Sequence, residues 1–456
     1  MIYDFLEIDR ESSNLLYEQL YEKIIKAISE KELVKGDKLP SLRHLSESLN
    51  ISRTTVQTAY DQLCAEGYIN NAPKKGYFIE ADTQIISAET VHNPTQKNTV
   101  IENAPVVFDF SSSGIDPNYI DMKYWRRCVS EILTRQNEVS SYGDPQGELE
   151  LRKALCSYSK NVRGTNISPN RIIIGAGTQA LLSVLLGICT EYGKDAAIEK
   201  GFFPQGEQIF KDHSFSMTAL KADKNGIILD DTVKSRILFI NSSGSIRGSA
   251  PLSINKRSEI IAWANSHDAI IIEDDYNGEL RYTSKPIPAL QGLCSDRVVY
   301  IGSFSKLLLP SVRIGYMIIP DILTDRYKQC GNYYNQTSSK IEQLALAEYI
   351  NAGRLYKQLR KLRKIYAQKS DILSSSIKTH FGQSVMIDII ETALCVRIKL
   401  RSDKSLDWHI GQALQNGIKL GKCREKNGVK YFYLSFSGIS AENIDNAVIA
   451  LKKAWQ

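Results

Sequence analysis

Apolar positions in the first eighty residues recur at helical spacing. Leu16, Leu20, Ile24, Ile25 and Ile28 mark one helix face, and the run stops near residues 32–36, where Gly36 can turn the chain. Ser41 stands as N-cap of a second helix carrying Leu42, Leu45 and Leu49 on one side, and Asn50 ends it. Ser52 caps a third, in which Val56, Ala59, Tyr60 and Leu63 point inward and Gly67 closes the end. Residues 68–70 and 76–79 read as strands around a hairpin tip at 71–75. Beyond residue 105 the pattern becomes short continuous apolar runs, at 171–174, 196–199, 237–240, 269–273, 298–301 and 314–319, separated by helical segments. Such runs predict an α/β domain with a largely parallel sheet buried on both faces, whose ligands sit beyond the strand ends. Residues 333–350 and 355–377 read as helices, and about 380–456 as a smaller α+β lobe. The polar stretch 81–105 lacks an apolar face and reads as a linker. The expected organisation is thus a domain at 1–80, a linker at 81–105 and a large domain at 106–456.

Composition narrows this picture only slightly. The 456 residues are 43% hydrophobic and 24% charged, which excludes a mostly disordered or fibrous chain and suits about three lobes. No window approaches 18 apolar residues and the first residues are acidic, so the expectation is a cytoplasmic protein with no membrane partner. Eight scattered cysteines form no C-x-x-C pair and no metal-ligand spacing, so they read as free thiols and no metal is expected. The formal charge of +6 hints at an anionic partner, but residues 1–80 hold 10 basic against 13 acidic groups. Within 35–79 the balance reverses, with six basic groups against four acidic ones. Any case for nucleic acid therefore rests on where a few charges lie.

Two short helices joined by a tight turn, followed by a basic hairpin, match a winged helix-turn-helix. The second helix of the pair opens Ser52-Arg53-Thr54-Thr55, and with Gln57 it offers forked or short hydrogen-bonding groups to base edges and phosphates. Arg43, Lys74 and Lys75 complete the candidate contacts to double-stranded operator DNA. The strings Lys35-Gly36-Asp37-Lys38-Leu39-Pro40-Ser41-Leu42-Arg43 and Ser52-Arg53-Thr54-Thr55-Val56 resemble the winged helix of GntR-type bacterial regulators.

The large domain carries a second constellation. Gly302-Ser303-Phe304-Ser305-Lys306 follows an apolar strand, with Arg313 seven residues on. An amine between hydroxyls at a sheet mouth suits an aldehyde cofactor with a phosphate: the lysine would form a Schiff base, and Ser303, Ser305 and Arg313 would hold the dianion. Glu273-Asp274-Asp275-Tyr276 ends another strand, so that one aspartate can pair with a protonated pyridine nitrogen and Tyr276 can donate to the ring oxygen. After Gly175-Ala176-Gly177, the amides of Thr178 and Gln179 at a helix start could bind the phosphate, and Phe203 could stack on the ring.

From about 108 onward the chain resembles a fold-type I aminotransferase, and as a whole it is similar to the MocR group of GntR regulators, in which a winged helix is fused to such a domain. The motifs are Tyr142-Gly143-Asp144-Pro145-Gln146-Gly147, Ile272-Glu273-Asp274-Asp275-Tyr276, Arg281-Tyr282, Gly302 through Lys306, and Pro310 through Tyr316. The resemblance implies pyridoxal 5'-phosphate (PLP) as cofactor, with Lys306 as its covalent partner, Asp274 on the pyridine nitrogen, Tyr276 on the ring oxygen and Arg313 on the phosphate. It also implies a homodimer in which Tyr142 reaches the neighbouring subunit's phosphate. Residues 241–249 depart from the family pattern, lacking its histidine, both prolines and its final glycine. The family's two carboxylate-binding arginines fall at Gln205 and Tyr433, leaving Arg247 and Arg424 as candidate replacements.

The expected function is a PLP-dependent transcription regulator whose effector is PLP itself or an amino compound, with vitamin B6 or amino-compound metabolism as its output. The alternative is a catalytically active aminotransferase carrying an accessory winged helix. An amide or a phenol does not replace a forked guanidinium, which weighs against ordinary transamination.

Overall fold

The computed structural model describes residues 8–9, 14–81, 105–111, 114–165, 167–199, 203–223, 226–230, 232–244, 251–275, 277–283, 287–331 and 333–456. It divides into two compact units, Met1–Val100 and Ile101–Gln456. The expected linker falls almost wholly at 82–104, outside the described residues.

The small unit has helices α1 (Leu16–Ser29), α2 (Leu42–Leu49) and α3 (Arg53–Ala65), then strands β1 (Ile69–Ala72) and β2 (Gly76–Ile79) paired antiparallel. Both expected caps form: Ser41 accepts from the His44 amide and Ser52 from the Thr55 amide. Asn50 ends α2 in the left-handed region at φ 52°, which asparagine tolerates well. Leu20, Ile24, Leu45, Val56, Tyr60, Leu63, Ile69 and Ile79 make one buried cluster, so the three helices and the hairpin form a single core.

The large unit is organised by a seven-stranded sheet. In chain order its strands are β3 (Ile172–Gly175), β4 (Asp195–Ile198), β5 (Ser216–Ala219), β6 (Ile237–Ile240), β7 (Ile270–Asp274), β8 (Val298–Ser303) and β9 (Gly315–Ile318). Their spatial order is β3-β9-β8-β7-β6-β4-β5. All pairs are parallel except those of β9, which runs antiparallel to both neighbours. Only the stretch 304–314 joins β8 to β9, too short for a helical crossover, so the chain must turn back beside itself. Ile271, Val298 and Tyr300 face one apolar layer while Ile272, Val299 and Ile301 face the other, which is why these strands read as unbroken apolar runs.

Helix α4 (Leu149–Arg163) lies on the first face, and α5 (Thr178–Ile188) and α6 (Pro204–Asp212) lie on the second. Residues 333–350 are not one helix. Helix α7 (Lys340–Asn351) starts at Lys340. Before it, Gln336 is drawn onto the carbonyls of Pro145 and Ile174, and Thr337 accepts the Ala176 amide. Helix α8 (Arg354–Phe381) leads into a four-stranded antiparallel sheet of β10 (Val385–Ile390), β11 (Cys395–Arg401), β12 (Cys423–Lys426) and β13 (Val429–Ser435), in the order β10-β11-β13-β12. Helix α9 (Ile444–Ala454) packs against α8 and joins this lobe to the main core. All eight cysteines are free thiols. Among the described residues, no helix is long and apolar enough to cross a membrane.

Candidate functional site

Lys306 emerges just past the end of β8 and is buried, with 6% of its surface exposed. Its Nζ donates to the Gly114 carbonyl at 3.1 Å and to Ser437 Oγ at 3.4 Å, and Ser437 Oγ donates to the same carbonyl at 2.8 Å. Burial pulls the amine down to about 8, against an opposing pull from Asp109. Gly114 and Ser437 lie 192 and 131 residues away in sequence, and no pattern in the chain points to either. Ser303 Oγ lies 3.2 Å from Ser305 Oγ and accepts the Ser305 amide, so the two hydroxyls flank the turn that carries Lys306.

The two aspartates ending β7 have opposite fates, because adjacent side chains leave a strand on opposite faces. Asp275 is matched: Arg163 Nε lies at 2.6 Å, Ser243 Oγ donates at 2.5 Å and Tyr300 donates its hydroxyl at 2.8 Å. Glu273, on that face too, accepts from Ser242 and from the Leu290 and Gln291 amides. Asp274 is equally buried but makes no hydrogen bond or ion pair with the described residues, and burial together with Asp275 pushes it up to about 7. A buried carboxyl without a donor fits a cationic ring nitrogen as its missing partner. Tyr276 lies outside the described residues, as does Arg247.

Three adjacent strand ends meet beside the start of α5. Ser303 is in register with Gly315, and Gly315 with Gly175. Gly177 precedes α5 with φ +87°, and a Cβ there would stand 3.2 Å from Arg313 Nη2. Arg313 itself holds φ 54° and donates to the Ala176 carbonyl at 3.2 Å, which brings its guanidinium to the helix end carrying Thr178 and Gln179. An arginine beside the amides of a helix start suits a phosphate dianion. Phe203 precedes α6 with its ring against Gly206, where a Cβ would meet it at 2.5 Å. Tyr142 is fully exposed.

In the small unit, Arg53 and Thr54 are exposed in the first turn of α3 and Thr55 is half-buried. Ser52 serves the cap, its hydroxyl also 2.8 Å from Thr55 Oγ1, and Gln57 donates to Asp61 at 2.6 Å. Arg43 pairs with Glu47 at 2.9 Å, both exposed. Lys74 and Lys75 are exposed in the hairpin turn, Lys74 with φ 65°.

Residues 16–79 match the bacterial regulatory proteins of the gntR family, and residues 116–447 match the aminotransferase class I and II family. The chain is 33% identical to an uncharacterized HTH-type transcriptional regulator, YhdI, of Bacillus subtilis, covering 98% of this chain and 97% of the relative. It is 28% identical to a probable rhizopine catabolism regulatory protein, MocR, of Rhizobium meliloti, covering 99% and 96%. With the HTH-type pyridoxine biosynthesis regulator PdxR of Corynebacterium glutamicum it shares 29% identity over 79% and 78%. The chain belongs to the MocR-type GntR regulators. Its large unit has an aminotransferase fold: an archaeal alanine:glyoxylate aminotransferase superposes with a TM-score of 0.68 at 20% identity, covering 77% of this chain and 90% of that one. The GntR domain implies DNA binding, and the aminotransferase fold implies PLP binding.

At the two positions where this regulator departs from the carboxylate-binding pattern, Gln205 is exposed on α6 and Tyr433 is buried in β13. Arg424, on the neighbouring β12, places its guanidinium carbon 5.8 Å from the Tyr433 ring centroid.

Proposed function

We propose that this regulator binds PLP in the large unit and operator DNA through the winged helix, and that occupancy of the first changes the second. The observation that carries the reading is Asp274, a buried carboxyl with no donor among the described residues, at the same sheet rim as the buried Lys306 amine. Arg313, the amides of Thr178 and Gln179, Ser303 and Ser305 would receive the phosphate, while Asp274 would keep the pyridine nitrogen protonated. Phe203 would cover the ring, and Tyr276 would donate to its oxygen. The cofactor, when bound, supplies an aldehyde that takes up amines. Lys306 supplies the neutral amine that engages it, and Gly114 and Ser437 hold that amine in place. Tyr142 would complete the phosphate site of a second subunit in a homodimer. The segment around 81–105 would join head to sensor, and residues 1–80 and 106–456 would act as the two working parts.

The signal is PLP or an amino compound, and absence of the two arginines at 205 and 433 favours sensing over turnover. This rests on chemistry that matches the relatives named for pyridoxine biosynthesis and rhizopine catabolism. The test uses the full chain and its own upstream intergenic DNA. With PLP the protein should turn yellow and its gel-shift affinity should change, whereas Lys306→Ala should show neither response. A Lys306→Ala protein that keeps the ligand response sinks the reading. Sustained transamination with common amino donors would favour the enzyme alternative.

A further inference from the structure

The first part of α8, residues 354–370, holds seven cations and no acid. Three of the seven have partners of their own. Arg354 lies 3.6 Å from Asp121, Arg363 Nε donates to the Glu279 carbonyl at 2.8 Å, and Lys369 is buried against Asp116 at 3.0 Å. The other four, Lys357, Arg360, Lys361 and Lys364, are exposed and recur at spacings of three and four, so they line one face of the helix. None of the four makes an ion pair with the described residues, and Lys361 alone has a partner among these, Tyr119, whose carbonyl lies at 3.5 Å. Like charges at these spacings repel. Elsewhere the chain answers such cations: Lys26, Arg43, Lys256 and Lys328 each face an acid three or four residues away on their own helix. On α8 the first acid, Asp371, stands two turns beyond Lys364.

Helix α4 extends the patch. Tyr356 Oη donates to the Ser157 carbonyl at 3.3 Å and accepts from Asn161 Nδ2 at 3.2 Å, which sets the exposed edge of α4 beside the start of α8. Lys153 and Lys160 flank Ser157 at spacings of four and three, are exposed, and make no ion pair with the described residues. Glu150, one turn before Lys153, is answered by Arg135 at 3.7 Å. The charge of the whole chain points the same way. Residues 1–80 hold 10 basic and 13 acidic groups while the chain totals 57 and 51, so the surplus of +6 lies wholly outside the head. Affinity for DNA comes largely from phosphate contacts, and the head has few cations to make them, of which Arg43 is paired with Glu47. We infer that the stripe from Lys357 to Lys364 on α8, with Lys153 and Lys160 on α4, binds the phosphates of duplex DNA flanking the sequence that the head reads. Lys357 and Lys364 are about 10 Å apart along the helix axis, a distance over which a duplex presents about six phosphate charges. No large apolar side chain is exposed on α8, so the face suits neither a membrane nor the apolar core of a protein interface. This inference rests on the head binding operator DNA: because both units belong to one chain, DNA held by the head stays at high local concentration near the large unit.

The experiment compares the full-length protein with the triple variant Lys357→Gln, Arg360→Gln, Lys364→Gln in gel shifts from about 50 to about 200 mM salt. The probes are the chain's own upstream intergenic duplex, a nested series of it trimmed from both ends, and an unrelated duplex of the full length. The variant should bind the full duplex roughly 10-fold or more weakly, and its plot of log affinity against log salt should be shallower by about three. Its preference for operator over unrelated duplex should be kept, because phosphates carry no sequence. Trimming the flanks should weaken the wild type and leave the variant little changed. Lys153→Gln with Lys160→Gln should lower the slope by about two. Thermal melts check that these variants, altered only at exposed side chains, keep the fold. Equal affinity and equal salt slope in wild type and triple variant overturn the inference, as does an equal effect of trimming on both. A wild type with no preference for its operator over the unrelated duplex defeats the reading of the head instead, which separates the two failures.

Discussion

The candidate recognition helix and the candidate cofactor site solve opposite problems. On α3 the candidate groups lie within six consecutive residues, 52–57, and two of them, Arg53 and Thr54, stand exposed while Ser52 and Gln57 are engaged by immediate neighbours. In the large unit the candidate groups come from segments as far apart as Gly114 and Ser437, and the two decisive ones are buried. A surface that meets DNA needs only a helix pointed outward, because the partner brings its own charge and water can serve the groups meanwhile. A pocket for a small charged ring must remove water beforehand, and that shifts Lys306 down to about 8 and Asp274 up to about 7. Effects of substitution should therefore be diffuse in the head and sharp in the pocket.

The largest expected effect tests the pocket. Asp274→Ala should weaken PLP binding about 10–100-fold, read by equilibrium dialysis, since a charged hydrogen bond to the ring nitrogen is lost. The same carboxyl sets a pH signature on the cofactor-free protein. Its folded value, about 7, exceeds the ordinary 3.8, so the folded state holds the proton more tightly. Stability should therefore fall as pH rises from about 4 to about 7, and Asp274→Asn should flatten that slope in thermal melts. A wild-type slope of the opposite sign across this window breaks the contrast. Arg53→Ala should weaken operator binding about 5–100-fold in gel shifts if it reads a base edge, and unchanged affinity means that α3 is not the reading helix. The rate of PLP uptake should climb as pH rises toward about 8 and level off above it, because the neutral amine is the reacting form; stopped-flow absorbance at a series of pH values checks this. Lys74→Ala should lower DNA affinity alike for all sequences and reduce the salt dependence by about one ion. Smallest of all, Ser52→Ala removes a cap and should cost about 1 kcal/mol in urea unfolding of the head.

The head was nearly transparent in the sequence because its determinants are local. Ser41, Ser52 and Asn50 act on amides or dihedrals within three residues, and their types announce their roles. The apolar runs of the main sheet were legible for the same reason, but the direction of β9 was not. Residues 314–319 look as apolar as their parallel neighbours, and only the shortness of the connection from β8 gives the turn-back away. Residues 333–339 stayed out of a helix because Gln336 and Thr337 serve carbonyls and amides 161 to 191 residues distant. Residue type alone does not separate Asp274 from Asp275; the motif resemblance singles out Asp274, and the fold adds that Arg163, more than a hundred residues away, pairs with Asp275.

The reversed strand has a consequence for how this pocket can vary. Chain leaving the sheet at Ser303 re-enters it at the paired Gly315, so Lys306 and Arg313 hang on one closed span pinned at both ends by ladder hydrogen bonds. The distance between the Lys306 amine and the Arg313 guanidinium is thereby gauged by the eleven residues 304–314, as a caliper is by its jaws. Insertions elsewhere in the large unit leave that gauge untouched, whereas a single residue added between 306 and 313 would reset it.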